Sequence, residues 1–273
     1  MANIRPFTQM DRADAWPDGS VIDAEGCLWN AQWSAGRVAR YDPTGTLMGV
    51  LHAPAAHTTC PALGGEHRNR LMLTTARAEL GREATDAELA AKLGVAAADI
   101  PEVDALAKRP YAEGGFKVWD IKDRKNPKLL THVRTHGRGV HRFDMDANYA
   151  YISTEMPGFI GNILVIYDIR NPAKPEEVSK WWMPGQKEGE HKSWPGRQHR
   201  LHHALRSGDR LFAGCWHGGV RIIDVSDIKK PTTIGEYNYH PPFPEPSHTF
   251  MDVPFEVGGR RIALAIDEED HAH

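Results

Sequence analysis

Apolar and polar positions alternate along most of this chain in short runs broken by glycine, proline and aspartate. Gly36–Tyr41 alternates as a half-buried strand, and Asp42-Pro43-Thr44-Gly45 turns the chain behind it. Val21–Asp23 and Cys27–Ala31 flank the turn signal Ala24-Glu25-Gly26, and Leu71–Thr75 reads as a further strand. From residue 114 onward the pattern repeats. Phe116–Ile121, Ile163–Ile169 and Val220–Val225 are apolar runs that end in an aspartate followed by an aliphatic residue. A turn carrying a proline follows each (Pro127, Pro172, Pro231), then a further strand such as Glu177–Trp182. Tyr149–Thr154, Arg210–Cys215 and Arg261–Ile266 are the matching strands upstream or downstream of these units. A period of roughly 50 residues with this content suits one four-stranded blade per repeat. The pattern predicts an all-β fold of β-propeller-type repeats, four or five blades in all, with residues 16–77 supplying one or two.

One stretch breaks the β pattern. Residues 78–108 are alanine-rich, with Thr85-Asp86-Ala87-Glu88 as a capping box and Gly94 as a C-terminal stop; a second short helix is expected before Pro110. The expected organisation is therefore a β segment over 1–77, a helical insert or linker over 78–109, and β repeats over 110–273.

The repeat also sets histidines in register. Val140-His141-Arg142-Phe143, Leu201-His202-His203-Ala204 and Ser247-His248-Thr249-Phe250 superpose, each followed by a turn and an apolar strand. The innermost strand of a propeller blade runs beside the central channel, so equivalent positions converge near the axis. His141, His202 and His248 are accordingly the candidate ligands of a zinc, iron or copper ion. The strands that follow end at Glu155, at Cys215-Trp216-His217 and at Asp267-Glu268, which places Glu155, His217 and Glu268 around the same mouth. Glu155 and His217 are the candidates for proton transfer. Arg138, Arg142, Arg197 and Arg200 beside the histidines suit an anionic substrate or pairing with carboxylates. Axial histidines that merely bridge blades through ring-to-backbone hydrogen bonds would instead describe a non-catalytic interaction scaffold.

Charge narrows the partners. The chain has 33 basic and 36 acidic side chains and a formal charge of −3, so no basic field points to nucleic acid. Three dispersed cysteines (Cys27, Cys60, Cys215) form no CxxC pair and suit a reducing compartment. The opening MANIRPFTQMDRAD has no apolar signal core, and no run reaches membrane-spanning length. A cytoplasmic protein acting on a small molecule, with no nucleic-acid or membrane partner, is expected.

Three stretches resemble known families. WPDGSVIDAEGCLWNAQWSAGRVARYDPTG, with HTTCPALGG and LTTAR behind it, resembles the later part of the gluconolactonase/regucalcin (senescence marker protein) family over residues 16–77. That resemblance implies a propeller that hydrolyses sugar lactones with a divalent cation such as calcium or zinc. It puts Asp18 on the family's metal-binding, proton-transferring aspartate, and the family's glutamate and asparagine ligands are expected on blades that precede this segment. LGREATDAELAAKLGV is similar to a helical segment of bacterial primary sigma factors, but Arg82, Lys92 and Lys108 are outnumbered by acidic neighbours, which opposes phosphate binding. THGRGVHRFDMD, YAYISTEMPGFIGNILVIYDIRNPAKP, WPGRQHRLHHAL and YNYHPPFPEPSHTF resemble the LVIVD-repeat β-propeller family over residues 110–273. That resemblance implies a fold more than an activity. The leading expectation is a metal-dependent enzyme, oxidoreductase or hydrolase, acting on a small molecule at the axial mouth. The alternatives are a regucalcin-like lactone hydrolase centred on Asp18 and the scaffold.

Overall fold

Strand-ending aspartates explain much of the architecture. In a computed structural model of the chain, Asp120, Asp168 and Asp224 each accept the backbone N–H two residues on, from Lys122, Arg170 and Ser226, at 2.8–2.9 Å. This side-chain turn satisfies the backbone where each apolar strand stops and re-aims the chain. The structure describes residues 7–53, 57–65, 67–75, 114–124, 126–137, 139–190, 199–240 and 242–268.

Among the described residues, eighteen strands build four blades and a hairpin. Blade one is β1 (Trp16–Ile22), β2 (Leu28–Trp33), β3 (Arg37–Tyr41) and β4 (Leu47–His52). Blade two is β5 (Thr58–Gly64), β6 (Arg70–Thr75), β7 (Gly115–Asp120) and β8 (Lys128–Val133). Blade three is β9 (Val140–Met145), β10 (Tyr149–Thr154), β11 (Ile163–Asp168) and β12 (Glu176–Trp181). Blade four is β13 (His199–Ser207), β14 (Arg210–Trp216), β15 (Val220–Asp224) and β16 (Thr232–Tyr237). The hairpin of β17 (Ser247–Asp252) and β18 (Ala263–Asp267) joins blade four through one pairing, Trp216 with Ser247. All pairings are antiparallel, and β1, β5, β9, β13 and β17 lie side by side in that order.

The propeller-type, all-β expectation thus holds, as four complete blades extended by a half-blade. Blade two unites the two sequence segments: β6 pairs with β7 without a break from Arg70–Asp120 to Thr75–Gly115. The helical insert expected over 78–109, with its sigma-factor likeness, lies outside the described residues. No helix among the described residues is long and apolar enough to cross a membrane.

The cores sit between blades. Within β10 and β11, Tyr151, Leu164 and Ile166 pack toward Leu201, Leu211, Ala213 and Ile223 of blade four. Their neighbours Ile152 and Val165 pack toward Met72, Phe116 and Val118 of blade two. Burial on both faces is why these strands read as unbroken apolar runs rather than alternating ones. Each such side chain contributes about 1.5–3 kcal/mol on burial. At the ends of the row, Trp16 and Ile22 of β1 and Leu264 and Ile266 of β18 are exposed, with no blade among the described residues covering them.

Candidate functional site

β9, β13 and β17 carry the three in-register histidines, and their adjacency brings the rings together. His141 and His202 meet edge to face with centroids 4.5 Å apart, and His202 and His248 lie 3.9 Å apart. Glu268, just beyond β18, completes the group: its Oε2 is 3.9 Å from His202 Nε2 and 3.8 Å from His248 Nε2. Together His202, His248 and Glu268 form a three-donor cluster. Sequence placed Glu268 at the rim; the geometry puts it among the donors. Exposure rises across the cluster, with side chains 2% exposed at His202, 23% at His248 and 46% at Glu268. The cluster is therefore open to solvent at its Glu268 end.

Hydrogen bonds fix the rings. His202 Nδ1 lies 2.9 Å from the His248 carbonyl, so it carries the proton and leaves Nε2 with a free lone pair toward Glu268. His248 Nδ1 is 2.6 Å from Thr249 Oγ1. His141 Nε2 is buried with no hydrogen-bond partner. A divalent ion fits this donor set, because tetrahedral donors about 2.1 Å from zinc lie about 3.4 Å apart, a few tenths of an ångström from the separations seen.

Trp216 walls the cluster and was not legible in the sequence. Its ring stacks on His202 at 5.5 Å and 23°, and the Arg200 guanidinium lies 4.3 Å from its centroid on the indole. Its backbone is left-handed, φ 55°, within a tight turn closed by Cys215 N–H to Gly219 O at 2.8 Å. A bulky residue in that region is strained, and such strain tends to collect where a side chain must be aimed.

The remaining candidates are placed elsewhere or held otherwise. His217 Nε2 is 3.3 Å from the Pro244 carbonyl, with its ring edge-on to Trp216 and His240. Glu155 is buried against Gly137, where a Cβ would meet its Oε2 at 1.6 Å. Neither belongs to the donor cluster. Asp18 accepts from its neighbour Gly19 N–H at 2.8 Å, and its Oδ1 lies 3.7 Å from Arg142 Nη1. Burial pushes its carboxyl above the usual range, against the pull of Arg142. A cation already faces Asp18, so its surroundings suit an ion pair better than a metal. A second acidic group, Asp23, Glu25 and Cys27, is likewise taken up: Asp23 accepts from Trp29 Nε1 and Arg40, and Glu25 pairs with Arg40 and Arg124.

Burial is the main cause that lowers His141, His202, His203 and His248, with Arg142 adding to it at all four. His141 and His202 fall well below the ordinary value, and His203 is pushed down to about 4. The direction at all four favours the neutral imidazole, the form that ligates a metal. The unfolded chain binds their protons near pH 6.5 and the folded one does not, so stability is present above that pH and falls as pH drops below it. For His203 the loss runs from pH 6.5 to about 4 and amounts to at most about 3 kcal/mol. Denaturant melts at pH 7.5 and pH 5 check this, and the midpoint is lower at pH 5.

Comparison with known proteins agrees with the two-part sequence. Residues 1–77 match the SMP-30/gluconolactonase/LRE-like region, and residues 145–181 and 207–239 match the LVIVD repeat. L-arabinolactonase of Azospirillum brasilense is 45% identical over 116 residues, 42% of this chain and 31% of that protein. Human regucalcin is 37% identical over 119 residues, 43% of this chain and 33% of that protein. The chain thus spans about a third of the length of the curated relatives it matches. A crystal structure of a Lactobacillus plantarum protein aligns over 92% of this chain and 64% of its own, with TM-score 0.57 and 12% identity, a likeness of fold alone.

Proposed function

We propose that the chain is a divalent-metal-dependent enzyme that opens a small lactone or related ester at the axial mouth. The observation that carries this reading is the convergence of His202 Nε2 and His248 Nε2 on Glu268 Oε2. Two neutral imidazoles and a carboxylate with one open side match the ligand sets of catalytic rather than structural sites. An ion held there would supply Lewis acidity and lower the pKa of a water at neutral pH.

The chain's own residues do the rest. The His248 carbonyl orients His202, and Trp216 closes one wall against solvent. His141 offers a further ring nitrogen beside His202, as a fourth donor or as a hydrogen-bond acceptor. Glu155 and His217, expected to transfer protons, are assigned supporting roles at the loop ends. Asp18, the residue matching the lactonase aspartate, is assigned to Arg142 rather than to the ion. The lactonase names of the relatives support the substrate class, and the donor cluster is the place assigned to it in this reading.

The test is acid release from L-arabinono-1,4-lactone by tag-free protein, reconstituted in turn with zinc, manganese, iron and calcium. Tag-free protein is needed because a polyhistidine tag would itself hold metal. Turnover that EDTA abolishes and one metal restores is the expected result. Protein that binds no ion at stoichiometric level overturns the reading.

A further inference from the structure

Arg142 follows His141 on β9, and its side chain is only 29% exposed. Its Nε is buried and has no hydrogen-bond partner. The nearest opposite charge, Asp18 Oδ1, lies 3.7 Å from Nη1, beyond hydrogen-bond distance. A buried guanidinium nitrogen left unpaired is uncommon, because folded proteins pair nearly all buried polar groups. The ion pair with Asp18 is made at Nη1 and leaves Nε unused.

The place of this charge is informative. It lowers His141, His202 and His248 on one side and is felt at Asp18 and Cys60 on the other. Arg142 thus sits next to His141 on β9 and reaches within 3.7 Å of Asp18 on β1 of blade one. Arg200, stacked on Trp216, adds a second positive charge felt at His141 and His202. An ion at the cluster would add more. An anion lying between Arg142 and the cluster balances that field, and a planar fork of N–H donors matches a carboxylate bidentately.

We propose that Arg142 anchors a free carboxylate on the ligand, so that the preferred substrate is a lactone of a sugar diacid rather than a neutral lactone. This rests on the reading of the donor cluster as the reaction centre. Hydrolysis adds one water across the ring ester, giving a carboxylate and a hydroxyl there. The anchoring carboxylate at the far end is unchanged.

The experiment is calorimetric titration of the metal-reconstituted protein with D-glucarate, D-gluconate and sorbitol. These have two, one and no carboxylates on comparable frames. A charge-assisted pair of hydrogen bonds is worth about one to two orders of magnitude in affinity. D-Glucarate is expected to bind about tenfold to hundredfold more tightly than D-gluconate, and Arg142→Gln to remove that difference while metal content stays unchanged. Arg142→Lys keeps the charge without the fork and retains part of the preference. It also serves where Arg142→Gln folds poorly, as a melt would reveal. Equal affinity for the two acids, or a preference that survives Arg142→Gln, overturns the proposal. The His202→Ala/His248→Ala variant separates the two readings. Loss of metal there, with glucarate still preferred over gluconate, leaves Arg142 as an independent anchor.

Discussion

The His202→Ala/His248→Ala double variant is expected to lose metal binding. By elemental analysis, tag-free wild-type protein is expected to carry close to one equivalent of a transition ion or zinc, and the double variant almost none. The size of the effect follows from the donor count. Only Glu268 of the three clustered donors remains, and it is the most exposed of them. Removing even an outer-shell partner of a ligand costs about tenfold to hundredfold in affinity, so losing two of three direct donors takes binding below practical concentrations. His202 is buried and its loss costs stability, but blade four keeps its apolar contacts at Leu201, Leu211 and Ile223. The variant is expected to stay folded, which circular dichroism checks. Retention of a full equivalent in the double variant would place any bound ion elsewhere.

Gly214→Val produces a comparable loss without touching a donor. Gly214 lies on β14 where β17 crosses closest: a Cβ there would meet the His248 carbonyl oxygen at 2.6 Å and its carbon at 2.9 Å. Both obstacles are backbone, so β17 must move as a whole. His248 moves with it, and so does the carbonyl that orients His202. A valine at this site is expected to abolish metal retention and to lower the melting temperature by several degrees, about 2–4 °C per kcal/mol in a chain of this size. A melt alone would not distinguish strain from site loss. The decisive reading is metal content beside that of Ile152→Ala, which costs about 2–5 kcal/mol in the blade-three core and leaves the axis intact. Metal retained in Gly214→Val would show that β17 tolerates displacement.

Much of the fold was legible because local chemistry and tertiary role coincide. Tyr149–Thr154 was readable to the residue, and Asp120, Asp168 and Asp224 mark strand ends through their own side-chain hydrogen bonds. The three histidines were found because a repeat superposes positions that are far apart in sequence. Arg261–Ile266 was read two residues early; the strand begins at Ala263, behind the turn at Gly258 and Gly259. What escaped depends on packing between repeats. Nothing local marks Trp216 as left-handed, since the cause is the turn closing on Gly219 and the stack with His202 and Arg200. The partnership of Asp18 with Arg142 joins blade one to blade three, and neither residue announces the other. The resemblance singled out Asp18, but not the neighbours that surround it.

The half-blade is held to blade four by one backbone pairing at Trp216 and Ser247, by Phe250 packed with Phe212 and Val220, and by side-chain hydrogen bonds from Ser207 to Asp252 and from Tyr239 to Asp267. The His202–His248 hydrogen bond adds to these, while Leu264 and Ile266 stay uncovered. An ion bridging His202 to His248 and Glu268 would clamp the hairpin to blade four, because two of its three donors belong to the hairpin. Its binding energy would then act on local opening: at a hundredfold excess over Kd the clamp is worth about 2.7 kcal/mol. Amide exchange in β17 and β18 is expected to slow about a hundredfold on metal loading while β10 and β11 are unaffected, and a protease should cut the apo protein first between Val253 and Ile262. The ion would thus serve as a latch for the last hairpin as well as a centre for chemistry, and its supply would govern how long the chain survives digestion.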